Sequence, residues 1–423
     1  MLKKLVSVSS PLITHTAVTC PFCGLLCDDL AIAVSDTQLT VTDNGCPKAR
    51  AAFRAADVPG PPLINGQPAT LNAALDAAAR ILKRSQQPLF AGLGTDVAGM
   101  RALLALAEPC HAIVDHLHGA AMARQVRVLQ SRGLTTTTLA EVRNRADLVV
   151  LLGVDIHADF PRFAEICLTP AESLAPERLA ARRVFQVGPA ASKPPKTGAR
   201  VERVTCAASE LRETLSALRA ELRGRPHRAV GRIRTGVAQL AQAIRAAHYT
   251  VFVWAPGQLA ELDGDLIIGS ACELIAEINR DRRAAGLALG GNDGGQTALA
   301  VCTWITGYPL QVSFAGATLD FDPLRYQTTR LLAEDAVDAL LWLSTFSSQP
   351  APATHVPRIV IGNAASTLVA PNSVFLPAGT PGLDHTGQLV RTDAVVTLPL
   401  QRLRETATSS AATLLIELAR RVR

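Results

Sequence analysis

Two hydrophobic periods alternate along the chain. Continuous apolar runs of strand length occur at residues 88–93, 147–153, 183–187, 250–254, 339–343, 358–361 and 374–377. Between them lie stretches whose apolar residues fall three and four apart, at 71–83, 209–223 and 230–247, with a closing one at 410–422. A strand that is apolar throughout is covered on both faces, as happens in a parallel sheet with helices on either side. The alternation therefore predicts a doubly wound α/β fold. The stretch 286–295 follows neither period, and its run Gly290-Gly291-Asn292-Asp293-Gly294-Gly295 predicts a loop.

Punctuation then divides the chain. Pro59-Gly60-Pro61-Pro62 ends a first segment, residues 1–59, that carries clustered cysteines and a helix at 49–56. A basic link at 224–228 separates two helices and could mark an internal boundary or a long loop. Near the end, Pro381-Gly382 and Thr386-Gly387 supply turn chemistry around short alternating segments.

Composition narrows the function classes. With 48% hydrophobic and 18% charged residues in 423, the chain is too apolar to be disordered. No apolar run reaches the length of a membrane helix, and residues 1–12 lack a secretory pattern, so a cytoplasmic protein is expected. The net charge of +6 comes with only 4% aromatics, which offers no platform for stacking bases. The basic surplus suits an acidic small molecule or a partner subunit better than nucleic acid.

Nine cysteines make an odd count for a disulfide framework, and four of them lie in the first 46 residues. Cys20, Cys23 and Cys27, followed by Cys46, have the spacings C-x2-C, C-x3-C and C-x18-C. Three thiolates on one loop and a fourth from a later turn can surround a soft metal, either iron–sulfur or zinc. The unequal spacing and distant fourth ligand favour a [4Fe–4S] cluster, with zinc or free thiols as the other states. Gly92 and Gly94, at a strand end before a helix, fit a phosphate-binding turn or an ordinary tight turn. His111, His116 and His118 fall together. On a strand, His116 and His118 would face one side like two zinc ligands of a hydrolase, and otherwise they line a cleft. Arg162 is a candidate anion contact or a surface arginine.

Six segments in order along the chain resemble the B subunit of formylmethanofuran dehydrogenase, a relative of the molybdopterin-dependent formate dehydrogenases. They are Cys20–Asp29 (CPFCGLLCDD), Asp115–Gly119 (DHLHG), Asn144–Gly153 (NRADLVVLLG), Phe160–Phe163 (FPRF), Thr303–Pro309 (TWITGYP) and Leu376–Asp393 (LPAGTPGLDHTGQLVRTD). The resemblance implies a molybdopterin oxidoreductase-like fold with a small N-terminal cysteine-cluster domain, and a [4Fe–4S] cluster on Cys20, Cys23, Cys27 and Cys46. It also implies that residues 60–115 and 285–423 form one discontinuous α/β domain, interrupted by a second, inserted α/β domain at 116–284. In the redox members a cysteine or selenocysteine directly before a histidine and glycine holds tungsten or molybdenum with two pterin dinucleotides. Here that position is Leu117, before His118-Gly119. A leucine has no lone pair to offer a metal. A histidine expected in the glycine loop is also absent from 290–295.

The resemblance therefore implies the B subunit of the bacterial formyltransferase/hydrolase complex. That complex converts a formyl group carried by tetrahydromethanopterin and a methanofuran analogue to formate in one-carbon metabolism. Its hydrolase, formyltransferase and scaffold subunits would be the partners. The chain would have no catalytic site of its own and would bind no tungsten, molybdenum or pterin. Leu117, His116, His118 and Arg162 would line a degenerate cleft. Two other readings stand beside this one: a redox-active B subunit of tungsten or molybdenum formylmethanofuran dehydrogenase, and a zinc hydrolase using His116 and His118.

Overall fold

The apolar runs become the inner strands of two parallel sheets in the computed structural model, which describes residues 13–189, 201–259, 263–347 and 349–423. The expectation for residues 1–12 lies outside these. The described residues fall into two compact units. One comprises residues up to 117 together with 292–390 and 397–423, and the other comprises 118–291 and 391–396.

In the first unit a nine-stranded sheet has five parallel strands at its centre, in the spatial order Ile113–Val114, Pro88–Gly94, Ala339–Ser344, Arg358–Gly362, Ser373–Pro377. Counted along the chain this is 2-1-3-4-5, the flavodoxin-like doubly wound order. Pro88–Gly94 and Ala339–Ser344 are buried at every position, as the continuous apolar runs require. The helices are set by local signals. Thr70 accepts from the Ala73 amide at the start of Leu71–Arg84, Asp96 caps Val97–Ala107, and Ser410 caps Ala411–Val422. Each buries an apolar stripe, such as Ala74, Leu75, Ala78 and Leu82 on the first.

The second unit is a five-stranded sheet, all parallel, in the order Val201–Thr205, Arg183–Gly188, Leu148–Leu152, Tyr249–Trp254, Arg283–Ala288. Its order 3-2-1-4-5 is again doubly wound. Phe185, Phe252, Leu240 and Ile268 belong to its core. Arg182 is buried just before the strand Arg183–Gly188 and donates to five carbonyls, those of Val142, Arg143, Ala146, Cys167 and Leu168. This saturates its guanidinium without any acid.

The fold corrects several expectations. The stretch 286–295 is not all loop. Gly286 lies inside the strand Arg283–Ala288, because its missing side chain leaves room for the Trp254 ring, and Gly295 already begins the helix Gly295–Thr306. The cysteine segment, expected as its own domain over 1–59, forms a three-stranded antiparallel sheet of Ile13–Val18, Leu30–Ser35 and Gln38–Asp43 that joins the first unit. It is tied down where Arg404 donates to the carbonyls of Thr37 and Ala56, at 2.7 and 2.6 Å. The strand Ile113–Val114 ends before His116 and His118, so the strand placement that would have paired them as zinc ligands does not form. Finally, the inserted unit spans 118–291 and takes up the turn 391–396, where 116–284 was expected.

Candidate functional site

Ligands of doubly wound sheets bind at the carboxyl ends of the strands where the order reverses. In the first unit that point lies between Pro88–Gly94 and Ala339–Ser344. Thr345 closes it, its amide and hydroxyl both donating to the Gly94 carbonyl at 2.8 and 2.7 Å. Asn363 Nδ2 and Thr380 Oγ1 donate to the Thr345 carbonyl at 3.0 and 2.9 Å.

The cysteine loop is docked over this end of the sheet. The Gly24 amide donates to Asn292 Oδ1 at 3.1 Å, and Leu26 packs with Phe346, Leu389 and Leu400. The turn Asn292–Gly294 in turn receives Nε2 of His116, which donates to the Asp293 carbonyl at 3.1 Å. Glycine at 294 is required twice over: its φ is +69°, and a Cβ there would stand 2.7 Å from the Thr95 carbonyl oxygen.

Within the loop, the Cys20 amide donates to the Cys27 carbonyl at 2.8 Å and the Leu26 amide to the Cys23 carbonyl at 3.1 Å. Leu26 takes a positive φ of 46° to turn the chain. Cys20, Cys23 and Cys27 are buried, and Cys46 is the N-cap of Pro47–Arg54, its Sγ accepting from the Ala49 amide at 3.3 Å. Burial pushes the Cys20 thiol well above its usual range, and Cys23, Cys27 and Cys46 nearby add to the rise. Burial also raises Cys23, against the pull of backbone donors and of Lys48. The other three cysteines thus lie within electrostatic reach of Cys20, two on its loop and one at a helix start.

Among the described residues no group of three or more His, Cys, Asp or Glu side chains is arranged to hold a metal ion. Four sulfurs are nonetheless the donor chemistry that a soft metal takes, as an iron–sulfur cluster or as zinc.

The other sequence candidates separate. Leu117 and His116 belong to the first unit, His118 and Arg162 to the second. Leu117 is held by its amide, which donates to the Gly92 carbonyl at 3.1 Å, and its side chain packs against the apolar cluster that includes Leu89, Ile113 and Trp342. His118 is the N-cap residue of Gly119–Arg132 but makes no side-chain cap bond. Arg162, buried, pairs with Glu165 through two bonds of 2.5 and 3.2 Å, so its charge already has a carboxylate. His111 lies outside the cleft, exposed, its Nδ1 against the Phe314 carbonyl. The helix after the Gly92–Gly94 turn is capped by its own Asp96, whose Oδ1 takes the Gly99 amide at 2.9 Å and places a carboxyl group at the helix N-terminus. Gly92 is there for the strand: its φ is +81° and a Cβ would come 2.7 Å from the Leu343 carbonyl oxygen.

Several buried polar residues have no local sequence signal. Asp115 is fully buried and accepts from the Thr328 amide and hydroxyl, each at 2.7 Å, and from Gln311. Burial pushes its carboxyl up to about 6 despite those donors. Asp384 accepts from Arg404 at 2.7 Å and from the Thr380 amide at 2.7 Å, with both charged side chains 2% exposed. In the second unit Arg391 forms a bidentate pair with Asp393, which also accepts from the Leu139 amide at 3.0 Å. Asp115, Asp384, Arg391 and Asp393 lie in segments that match the resemblance, but their partners are far away or turn-mediated.

Comparison with known proteins agrees with these features. No family model matches the chain. It is 30% identical over 335 residues to the B subunit of the formyltransferase/hydrolase complex Fhc of Methylorubrum extorquens, covering 77% of this chain and 87% of that protein. It is 23% identical over 398 residues to the B subunit of a tungsten-containing formylmethanofuran dehydrogenase 2 of Methanococcus maripaludis, covering 89% and 91%. A solved structure of the formyltransferase/hydrolase complex FhcABCD from Methylorubrum extorquens, in complex with methylofuran, contains a chain that superimposes with a TM-score of 0.74 at 27% identity, over 85% of this chain and 98% of that one. The chain belongs to the B-subunit family of formylmethanofuran dehydrogenase, which includes the B subunit of the formyltransferase/hydrolase complex.

Proposed function

We propose that this chain is the non-redox B subunit of a formyltransferase/hydrolase complex, acting beside hydrolase, formyltransferase and scaffold subunits that pass a formyl group from tetrahydromethanopterin to a methanofuran analogue and release it as formate. The observation that carries the reading is Leu117. The position that must offer a soft donor to tungsten or molybdenum offers an isobutyl group instead, packed into the core cluster around Leu89 and Trp342. A tungsten- or molybdenum-pterin centre does not fit that side chain, and no step is assigned to one. The redox alternative is disfavoured by the same residue. The zinc-hydrolase alternative is disfavoured by His116, whose Nε2 is engaged by the Asp293 carbonyl.

The fold that goes with this reading is the molybdopterin oxidoreductase type, with the cysteine segment laid over the first sheet. Cys20, Cys23, Cys27 and Cys46 would hold a [4Fe–4S] cluster. Bound there, such a cluster supplies cross-linking of the segment to the helix Pro47–Arg54, and its binding free energy becomes folding free energy. His116, His118 and Arg162 are structural in this reading, and the protein works in the cytoplasm. No helix among the described residues is long and apolar enough to cross a membrane.

The test is a metal inventory of the intact complex, purified without oxygen, together with assays for formyl hydrolysis and for formate-dependent dye reduction. We expect iron, formyl hydrolysis and neither tungsten nor molybdenum at stoichiometric levels. Either heavy metal at one per chain, with dye reduction, would overturn the reading.

A further inference from the structure

The second unit carries charge that the function above leaves unused. Between Glu221 and Glu261 the chain has no acidic residue, yet it holds Arg223, Arg225, Arg228, Arg232, Arg234 and Arg245. Arg223 pairs with Glu277, and Arg245 donates to the Glu221 carbonyl. Among the described residues no acid pairs with Arg232, nor with Arg203 on the neighbouring strand.

These last two meet across a groove. The strand Val201–Thr205 is the edge of its sheet, and the helix Gly231–Ala246 lies along it, brought close because Gly236 has no side chain to keep it from Val204. An open depression of about 630 Å³ runs between them, lined among others by Arg203, Thr205, Arg232, Thr235 and Gln239. The spacing explains the lining. Residues 203 and 205 project from one face of the strand, and 232, 235 and 239 from one face of the helix. The surface so formed presents two guanidiniums, two hydroxyls and an amide, with no carboxylate lining it. Guanidiniums match carboxylates bidentately, and hydroxyls and amides complete their hydrogen bonds.

We infer that this groove is a docking surface for an acidic segment of a partner subunit. The inference rests on the complex-subunit reading above and adds where one partner attaches. Arg203, Arg232, Thr235 and Gln239 are all exposed, so a small anion would keep most of its water, whereas carboxylates spaced along a polypeptide engage both arginines at once. Charge complementarity of this kind steers association and is screened by salt.

The experiment compares the full-length chain with an Arg203→Glu/Arg232→Glu variant, each co-expressed with the other subunits of the complex and titrated for assembly at low and high salt. Both side chains are exposed, so the variant should melt with the wild-type chain. We expect its affinity for the partner to fall at least about tenfold at low salt and the difference to shrink at high salt. Inorganic phosphate should displace the partner no better than chloride at equal ionic strength. Equal affinity and equal salt dependence in the two proteins would overturn the inference. Intact assembly of the variant alongside phosphate binding to the wild-type groove would overturn it in favour of a small-anion site. A wild-type chain that co-purifies with none of the other subunits would overturn both this inference and the reading beneath it.

Discussion

Replacing Arg404 by methionine should release the cysteine segment from the first unit while leaving the sheet folded. Arg404 is the only cation bonded to Asp384 among the described residues, through Nε, and its Nη1 serves two carbonyls of the segment, Thr37 and Ala56. Methionine keeps much of the volume but makes none of the three bonds. It leaves Asp384, 2% exposed, with one backbone donor and no counter-charge. Breaking a buried pair by removing one partner costs about 3–5 kcal/mol. At about 1.4 kcal/mol per factor of ten, the detached state should become roughly 10²- to 4 × 10³-fold more populated. Hydrogen exchange followed by mass spectrometry reads this directly, since exchange reports local opening. Amides in Leu30–Ser35 and Gln38–Asp43 should exchange faster by that factor, and those in Pro88–Gly94 should change far less. Lysine at 404 should fall between, because an ammonium keeps the charge but lacks the planar fork that reaches all three acceptors. An acceleration below about fivefold in the segment would refute the latch, since about 1 kcal/mol is the scale of a surface ion pair.

Two further perturbations test the first unit. Asp115 has its carboxyl raised by burial from 3.8 to about 6, so the native state holds a proton that the unfolded chain has lost between those values. Stability is then highest below pH 4 in this term and falls as pH rises to about 6, by at most about 3 kcal/mol. Asp115→Asn should flatten that slope relative to wild type in urea midpoints taken from pH 4 to 7, and an unchanged slope would count against the buried carboxyl. Gly92→Ala forces a Cβ to 2.7 Å from the Leu343 carbonyl oxygen at a φ of +81°. It should lower stability by about 2–4 kcal/mol in urea unfolding, and a loss under about 0.5 kcal/mol would show that the two strands can separate at no cost.

The class of fold is legible in the order of residues alone. Strands buried on both faces must be apolar at every position, so the runs at 88–93 and 339–343 can be read without knowing what they pair with. Caps such as Thr70 and Ser410 act within one turn of chain and are equally legible. The cysteine spacing and Leu117 are also readable, because ligand chemistry depends on residue type and near-neighbour distance. Whatever depends on a distant partner emerges only from the folded chain. Gly286 sits in its strand with the Trp254 ring where a side chain would be, and Asp96 occupies its helix N-terminus only once its side chain turns back on the Gly99 amide. His116 could not be separated from His118, two residues on, until the first was seen bonded to Asp293 across 177 positions of sequence. The pairing of Arg404 with Asp384 and with a segment more than 340 residues earlier has no local period to betray it. Periodicity records which side of an element is dry, whereas the identity of a hydrogen-bond partner is fixed only when the chain has closed on itself.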